Sequence, residues 1–339
     1  MKNFPKASFT LHPPLISIIQ SRRLIMKHIF VINPIAGKKD ATEDVKKKAL
    51  FALDKDDCEF YVTKSSGDAV TFVKEYIENH PDEQLRFYAC GGDGTLHEVA
   101  QACVNKENVE VTCVPCGSGN DFVKYYGGKE CFEDFDSLVN GTPHKIDVLK
   151  VTDSENVHYC INIDNFGFDA FVCDTMNHLK GHPIFGGSAG YLVGVVKGLG
   201  KAMKTDVQVI ADGEVMTKDN EIMLATVSNC HYVGGMFFVA PNAKNDDGLI
   251  DVTVIDPLSR AKFMKLVMPY TKGEIFTNPI FNGIYRYKQA KKVEISAPEG
   301  FINCIDGEII NHNKFTIEVV PGALNFVIPL DATKNNPKN

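Results

Sequence analysis

Three glycines around one acid, Gly91–Gly92–Asp93–Gly94–Thr95, form the segment of this sequence best suited to chemistry. Consecutive glycines let a backbone approach a phosphate closely, and the free N–H groups of a helix start attract an anion. Asp93 carries the wrong charge for that task, but a carboxylate beside phosphates suits Mg2+, held directly or through water. Two further turns have the same character. Asn33–Pro34–Ile35–Ala36–Gly37 ends in the cation Lys38, and Gly117–Ser118–Gly119 leads into Asn120–Asp121. Neither the Walker ending nor the dinucleotide fingerprint occurs at these turns, so a dinucleotide dehydrogenase is not supported.

Each turn follows a strand-like run. His28–Ile32, Glu59–Thr63, Leu85–Cys90 and Val109–Val114 read as strands, and 43–53, 69–79 and 96–104 as the helices between them. Strand–helix alternation predicts a doubly wound, mostly parallel sheet, with all three turns at its carboxyl edge, where open sheets bind ligands. Near Asp147 the rhythm changes. Strand-like runs dominate from there, at 147–151, 158–163, 207–211, 221–228, 250–255, 292–296, 315–320 and 324–328. Asp212–Gly213, Asp247–Gly248 and Asp306–Gly307 mark turns between several of them. This predicts an antiparallel β-sandwich, interrupted by helices over about 189–203 and 260–270. The expected division is an extension over 1–26, an α/β domain over 27–147, a sandwich domain over 148–330 and a tail over 331–339.

Composition narrows the classes. The 339 residues are 44% hydrophobic and 23% charged, which is globular, and a net charge of −7 argues against nucleic acid as a partner. The ten cysteines are scattered, and no secretory leader is evident, so they read as reduced thiols of a cytosolic protein. Cys113 and Cys116 lack the second pair a zinc site wants, and His178, His182 and His231 have no metal-ligand spacing. No run approaches the roughly 20 apolar residues of a membrane span.

Asn-Pro-x-x-Gly at Asn33–Gly37, Gly-Gly-Asp-Gly-Thr at Gly91–Thr95, Gly-x-x-Asn-Asp-Phe at Gly117–Phe122 and the late Asp306–Gly307–Glu308 occur in one order. Together they resemble the diacylglycerol kinase catalytic family, which includes sphingosine, ceramide and soluble bacterial lipid kinases. The resemblance covers about Lys27 to Leu330. It implies an ATP- and Mg2+-dependent lipid kinase acting on the free hydroxyl of diacylglycerol or a related lipid. Asn33, Pro34, Ile35, Ala36, Gly37, Thr63, Gly91, Gly92, Asp93, Gly94, Thr95, Leu96, His97 and Ser118 would then form the nucleotide site. Glu308 would be the general base, and Asp93, Asp121 and Asp147 would surround the catalytic Mg2+, Asp93 and Asp147 acting in catalysis. Lys244 and Leu249, through carbonyl oxygens, and Asp247, through its side chain, would hold a structural Mg2+. Two departures stand out. His97 replaces a common Asn, and Ser118 replaces Thr while keeping the hydroxyl.

A lipid acceptor implies peripheral contact with the inner membrane surface. As a helix, Tyr191–Lys204 gathers Lys197, Lys201 and Lys204 on one face, away from Leu192, Val195, Val196 and Leu199. A homodimer is compatible with the motifs, none of which demands it. Two rivals remain on the sequence alone: a small-molecule kinase of NAD-kinase type, and a non-catalytic lipid-binding protein with the same fold.

Overall fold

A computed structural model describes residues 26–179, 188–330 and 332, with the side chains of 188–192 excluded. Residues 1–25 of the expected extension, most of the expected tail, and His182 lie outside that description.

The first unit alternates β1 (Met26–Ile32), α1 (Thr42–Ala52), β2 (Cys58–Val62), α2 (Asp68–Asn79), β3 (Gln84–Gly91), α3 (Asp93–Cys103) and β4 (Val109–Pro115). The strands lie in the order β2-β1-β3-β4 and pair in parallel. They are buried because helices cover them. Phe30, Tyr88 and Phe87 are fully enclosed, and Phe30 stacks on Tyr88 with centroids 4.2 Å apart. Asp121 precedes a 3-10 turn at Phe122–Tyr126, and α4 (Phe135–Val139) follows.

The chain continues through β5 (Thr142–Thr152), β6 (Val157–Cys160) and β7 (Ile163–Gly167) to α5 (Phe168–Leu179) and α6 (Ser188–Lys201). Then come β8 (Gln208–Ala211), β9 (Glu214–Val215), β10 (Leu224–Ser228), β11 (Ile250–Ile255), α7 (Arg260–Thr271), β12 (Tyr285–Ala290), β13 (Lys292–Ser296), β14 (Asn303–Ile305), β15 (Glu308–Ile310) and β16 (Lys314–Ile328). One antiparallel sheet runs β12-β11-β10-β7-β14-β15. Opposite it, β13 joins β8 and β16, and an apolar core containing Phe166, Val227, Val252 and Ile317 fills the space between.

The two layers of structure share a spine. The runs 315–320 and 324–328, expected as two strands, form the single strand β16 with a bulge between Val320 and Leu324. Its first half pairs with β13 in the sandwich, and Asn325 and Phe326 pair in parallel with β4. β5 lies antiparallel to β16 along both halves. The expected strand 158–163 is instead two strands, β6 and β7, separated at Ile161–Asn162. The helix α5 was not anticipated from the sequence.

Candidate functional site

The chain leaves β1 toward β2 on one side and returns to β3 on the other, so the sheet's topological switch lies between β1 and β3. The loops after β1, β3 and β4 meet there. Asn33 N–H donates to Cys90 O at 2.9 Å, Cys116 N–H to Gly91 O at 2.8 Å, and Thr63 N–H to Ile32 O at 2.9 Å. The Asn33 side chain ties two loops, donating to Thr95 Oγ1 at 3.2 Å while accepting from Ile35 N–H at 3.1 Å. A Cβ on Gly117 would stand 2.5 Å from Gly92 Cα, and one on Gly37, where φ is +78°, only 2.2 Å from Cys116 O. Glycine is therefore required where these backbones touch. Leu96, Thr95 and His97 are buried beneath the loops, whereas Ile35 and Ser118 are exposed.

Asp93 opens α3, with Gly92 in the capping position. Its Oδ1 accepts the N–H groups of Asp121 at 2.7 Å and Phe122 at 3.2 Å. Its Oδ2 takes part in neither bond, and lies 3.0 Å from where a Cβ on Gly119 would be, with Asp121 Oδ2 at 3.8 Å from the same point. Burial, and then the Asp121 carboxylate, push Asp93 up to about 6. Two carboxylates facing one space, one with a free oxygen, fit a divalent cation such as Mg2+. Asp121 is also held from the second unit. Gly235 N–H reaches both of its oxygens at 3.0 Å, and Lys124 Nζ stands 2.6 Å from its Oδ1 while donating to Gly235 O.

Glu308 begins β15 and is exposed. A Cβ on Gly94 would lie 3.5 Å from Glu308 Oε1, so the carboxylate stands against the first turn of α3. Asp306, which the sequence places in the turn and its motif without a role of its own, anchors it. Its side chain is 3% exposed and accepts from Ile161 N–H, Asn162 N–H and Ile163 N–H at 2.9, 2.9 and 3.2 Å, and from Cys160 Sγ at 3.0 Å. These N–H groups turn toward Asp306 rather than toward a neighbouring strand, which is why the run 158–163 breaks. His97 Nδ1 lies 3.0 Å from Asp306 Oδ2. Burial would lower the His97 pKa, but the Asp306 bond and charge outweigh it and raise it; Asp306 itself is held low by His97 and the N–H donors against the pull of burial. His97, the departure at that position, thus joins α3 to the turn that carries Glu308.

Asp147, the third of the expected acids, is engaged by backbone donors of the second unit. Its two carboxylate oxygens accept Gly248 N–H at 2.7 Å and Gly322 N–H at 2.8 Å, beneath the turn 244–249. In that turn Asp247 Oδ1 accepts Leu249 N–H at 3.1 Å; burial, helped by the nearby Asp147 charge, raises the Asp247 pKa against the opposing pull of that bond. An exposed carboxylate next to a second buried one again fits a cation, with the carbonyls of Lys244 and Leu249 in the same turn.

Beneath α6 and α7 lies a cleft with about 460 Å3 of empty space, part of it open to solvent. Phe168, Phe237, Leu258, Phe263 and Leu266 line it, with one acid, Asp169. Asp169 is half-buried, and burial pushes it up to about 7. One and two turns further along α5, Cys173 and Asn177 contact Gly307 O, so the helix that borders the cleft also touches the Glu308 turn. α6 packs closely on α5 through glycines. A Cβ on Gly194 would meet Val172 at 3.1 Å, and one on Gly198 would meet Phe168 at 2.8 Å. Lys197 and Lys201 are exposed on α6, whereas Lys204 lies beyond the helix and pairs with Glu221. All ten cysteines are free. Among the described residues no helix is long and apolar enough to cross a membrane.

Comparison with known proteins follows the same division. Residues 27–151 match the diacylglycerol kinase catalytic domain, and residues 163–328 match the YegS C-terminal NAD kinase beta sandwich-like domain. A protein of Stenotrophomonas maltophilia named Probable lipid kinase YegS-like is 29% identical over 278 residues, 80% of this chain and 86% of the relative. The Diacylglycerol kinase of Bacillus subtilis is 28% identical over 287 residues, 82% of this chain and 88% of the relative. A crystal structure of a diacylglycerol kinase from Bacillus anthracis shares the fold, with a TM-score of 0.64 at 20% identity over 90% of this chain and 98% of that one.

Proposed function

The chain belongs to the diacylglycerol kinase catalytic-domain family of lipid kinases, and from that premise we propose that it transfers the γ-phosphoryl group of ATP to the free hydroxyl of diacylglycerol or a related lipid. The observation that carries this reading is the position of Glu308 against Gly94, which sets a carboxylate from the second unit at the start of the glycine-rich helix. Phosphoryl transfer depends on positioning and charge neutralisation. The loops at Asn33–Gly37, Gly91–Thr95 and Gly117–Ser118 would hold the nucleotide, with Thr63 beside them. Asp93 Oδ2, with Asp121 nearby, would hold Mg2+, which shields the phosphate charge. Glu308 would take the proton of the lipid hydroxyl as it attacks. Asp306 and His97 would position Glu308. Asp147 is assigned to bracing the 244–249 turn, where Lys244, Asp247 and Leu249 would hold a second Mg2+.

The apolar cleft beneath α6 and α7 suits acyl chains, and its neighbour, the Glu308 turn, suits the headgroup. Above it, Val196, Met264 and Met268 are exposed beside Lys197, Lys201, Lys262 and Lys265. An apolar and basic face of this kind favours an anionic membrane surface. The test is a radiolabelled-ATP assay over diacylglycerol, monoacylglycerol, sphingoid base, ceramide and NAD, with and without Mg2+. Glu308→Gln should lower kcat by about 10²–10⁴-fold while ATP binding by calorimetry stays within a few-fold. Phosphorylation of NAD alone, or a kcat unmoved by Glu308→Gln, refutes the reading.

A further inference from the structure

Outside the kinase site, Asp153, His158 and His312 each bring one ligand atom into a group whose members lie within 4.8 Å of one another. They come from three segments: the turn after β5, the strand β6, and the turn between β15 and β16. Asp153 is fixed from its other side, because Oδ1 accepts Glu155 N–H at 2.6 Å and Asn156 N–H at 2.8 Å. Its side chain is only 4% exposed, and Oδ2 is buried without a hydrogen bond.

That missing bond is informative, because His312 Nε2 stands only 2.8 Å from Asp153 Oδ2. At this distance a simple His–Asp pair would aim its N–H at the oxygen. Here the nitrogen and the oxygen approach closely without that alignment. The imidazole of His158 lies alongside, its centroid 6.1 Å from that of His312 and its plane tilted by 39°.

We propose that Asp153, His158 and His312 form a binding site for a divalent transition-metal ion of the zinc class, with a fourth position left to water. Two imidazoles and one carboxylate are donors that suit zinc, whereas Mg2+ and Ca2+ favour oxygen ligands alone. Around a tetrahedral zinc with bonds of about 2.0–2.1 Å, donors stand about 3.3 Å apart. The 2.8 Å His312–Asp153 approach and the 4.8 Å limit on the whole group lie on either side of that value, so modest side-chain rotations would close the site. His312 follows Glu308 by four residues, so the ion would tie the segment leading from Glu308 to the β5–β6 hairpin. The site shares no residue with the kinase machinery and does not depend on the proposed substrate.

The test uses the full chain, stripped with chelator and titrated with ZnCl2 by calorimetry and with Co2+ by visible absorption, without ATP or Mg2+. Wild type should bind, show the d–d bands of a tetrahedral nitrogen–oxygen site, and melt at a higher temperature with zinc. His312→Ala and His158→Gln should each lose one bound equivalent and the thermal gain, with an unchanged metal-free circular dichroism spectrum. Two substitutions guard against one of them misfolding. Equal stoichiometry in wild type and both variants overturns the proposal. So does thiolate-to-cobalt charge transfer, which would assign the ion to cysteines, and so does an absence of binding.

Discussion

Replacing Asp306 by Asn tests whether one buried carboxylate holds the two units in register. The carboxylate accepts from five groups: Asn162 N–H, Ile163 N–H and Cys160 Sγ at Oδ1, and Ile161 N–H and His97 Nδ1 at Oδ2. An asparagine can keep its carbonyl oxygen toward the first three. Its NH2 then faces Ile161 N–H, a donor against a donor. His97 can turn its neutral lone pair toward the amide, but Ile161 N–H is left without an acceptor, at a cost of about 1–3 kcal/mol. Losing the charge on the remaining bonds brings the total to roughly 2–4 kcal/mol. With a urea slope of about 1–3 kcal/mol per M, the unfolding midpoint should fall by about 1 M. The pH dependence carries a second signature. The folded His97 pKa lies above 6.5, so its contribution is full below 6.5 and is lost as pH rises through the folded value. The folded Asp306 pKa lies below 3.8, so its contribution is present above 3.8 and is lost as pH falls through the folded value. The wild-type advantage should therefore be largest between those limits and shrink on the alkaline side. A change below about 0.5 kcal/mol, or one that is the same at mildly acidic and alkaline pH, would refute the argument that this pair joins the units.

Gly117→Ala should abolish nucleotide binding and lower the melting temperature, because its Cβ would stand 2.5 Å from the Gly92 backbone; ATP calorimetry and thermal melts check both. Asp93→Asn keeps an oxygen for the Asp121 and Phe122 N–H groups but loses the charge, so turnover should vanish at saturating Mg2+ while the melt stays near wild type. Asp247→Ala should remove the Mg2+-dependent part of the thermal stability, seen as equal melts with and without chelator, and lower kcat less than it lowers stability. Arg86→Met strands Glu110, now paired with Arg86 Nη2 at 2.6 Å in the interior, and should cost about 3–5 kcal/mol in urea unfolding.

The local parts of the site were legible in the sequence because loop chemistry is local. Strand, glycine turn and helix follow one another within a few residues at Gly91–Thr95, so the motif announces its own geometry. The fold class was legible for the same reason, through the change of rhythm near Asp147. Three features were not. The His97–Asp306 contact joins residues 209 positions apart, and an aspartate in a two-residue turn, here at φ +51°, looks ordinary. The helix α5 follows a strand directly, and Phe166–Gly167–Phe168 reads as more strand until Gly167, at φ +73°, bends the chain. Asp147 opens an expected strand with no motif around it, and its partners Gly248 and Gly322 are supplied from far along the chain.

The path of the chain explains why the acid at Glu308 can reach a loop so distant in sequence. β16 hydrogen-bonds to β13 in the sandwich and to β4 in the parallel sheet, and β5 follows it through ten paired positions. A rotation of one layer against the other would have to bend that continuous ladder. The contact of Asp306 with His97 and the contact of Gly235 with Asp121 then close the gap from two sides. The carboxylates at Asp93, Asp121 and Glu308 are thereby held by a shared backbone spine and two polar ties. Such a frame fixes the relation of phosphate loops and candidate base before any substrate arrives, which is where preorganised charge is most effective.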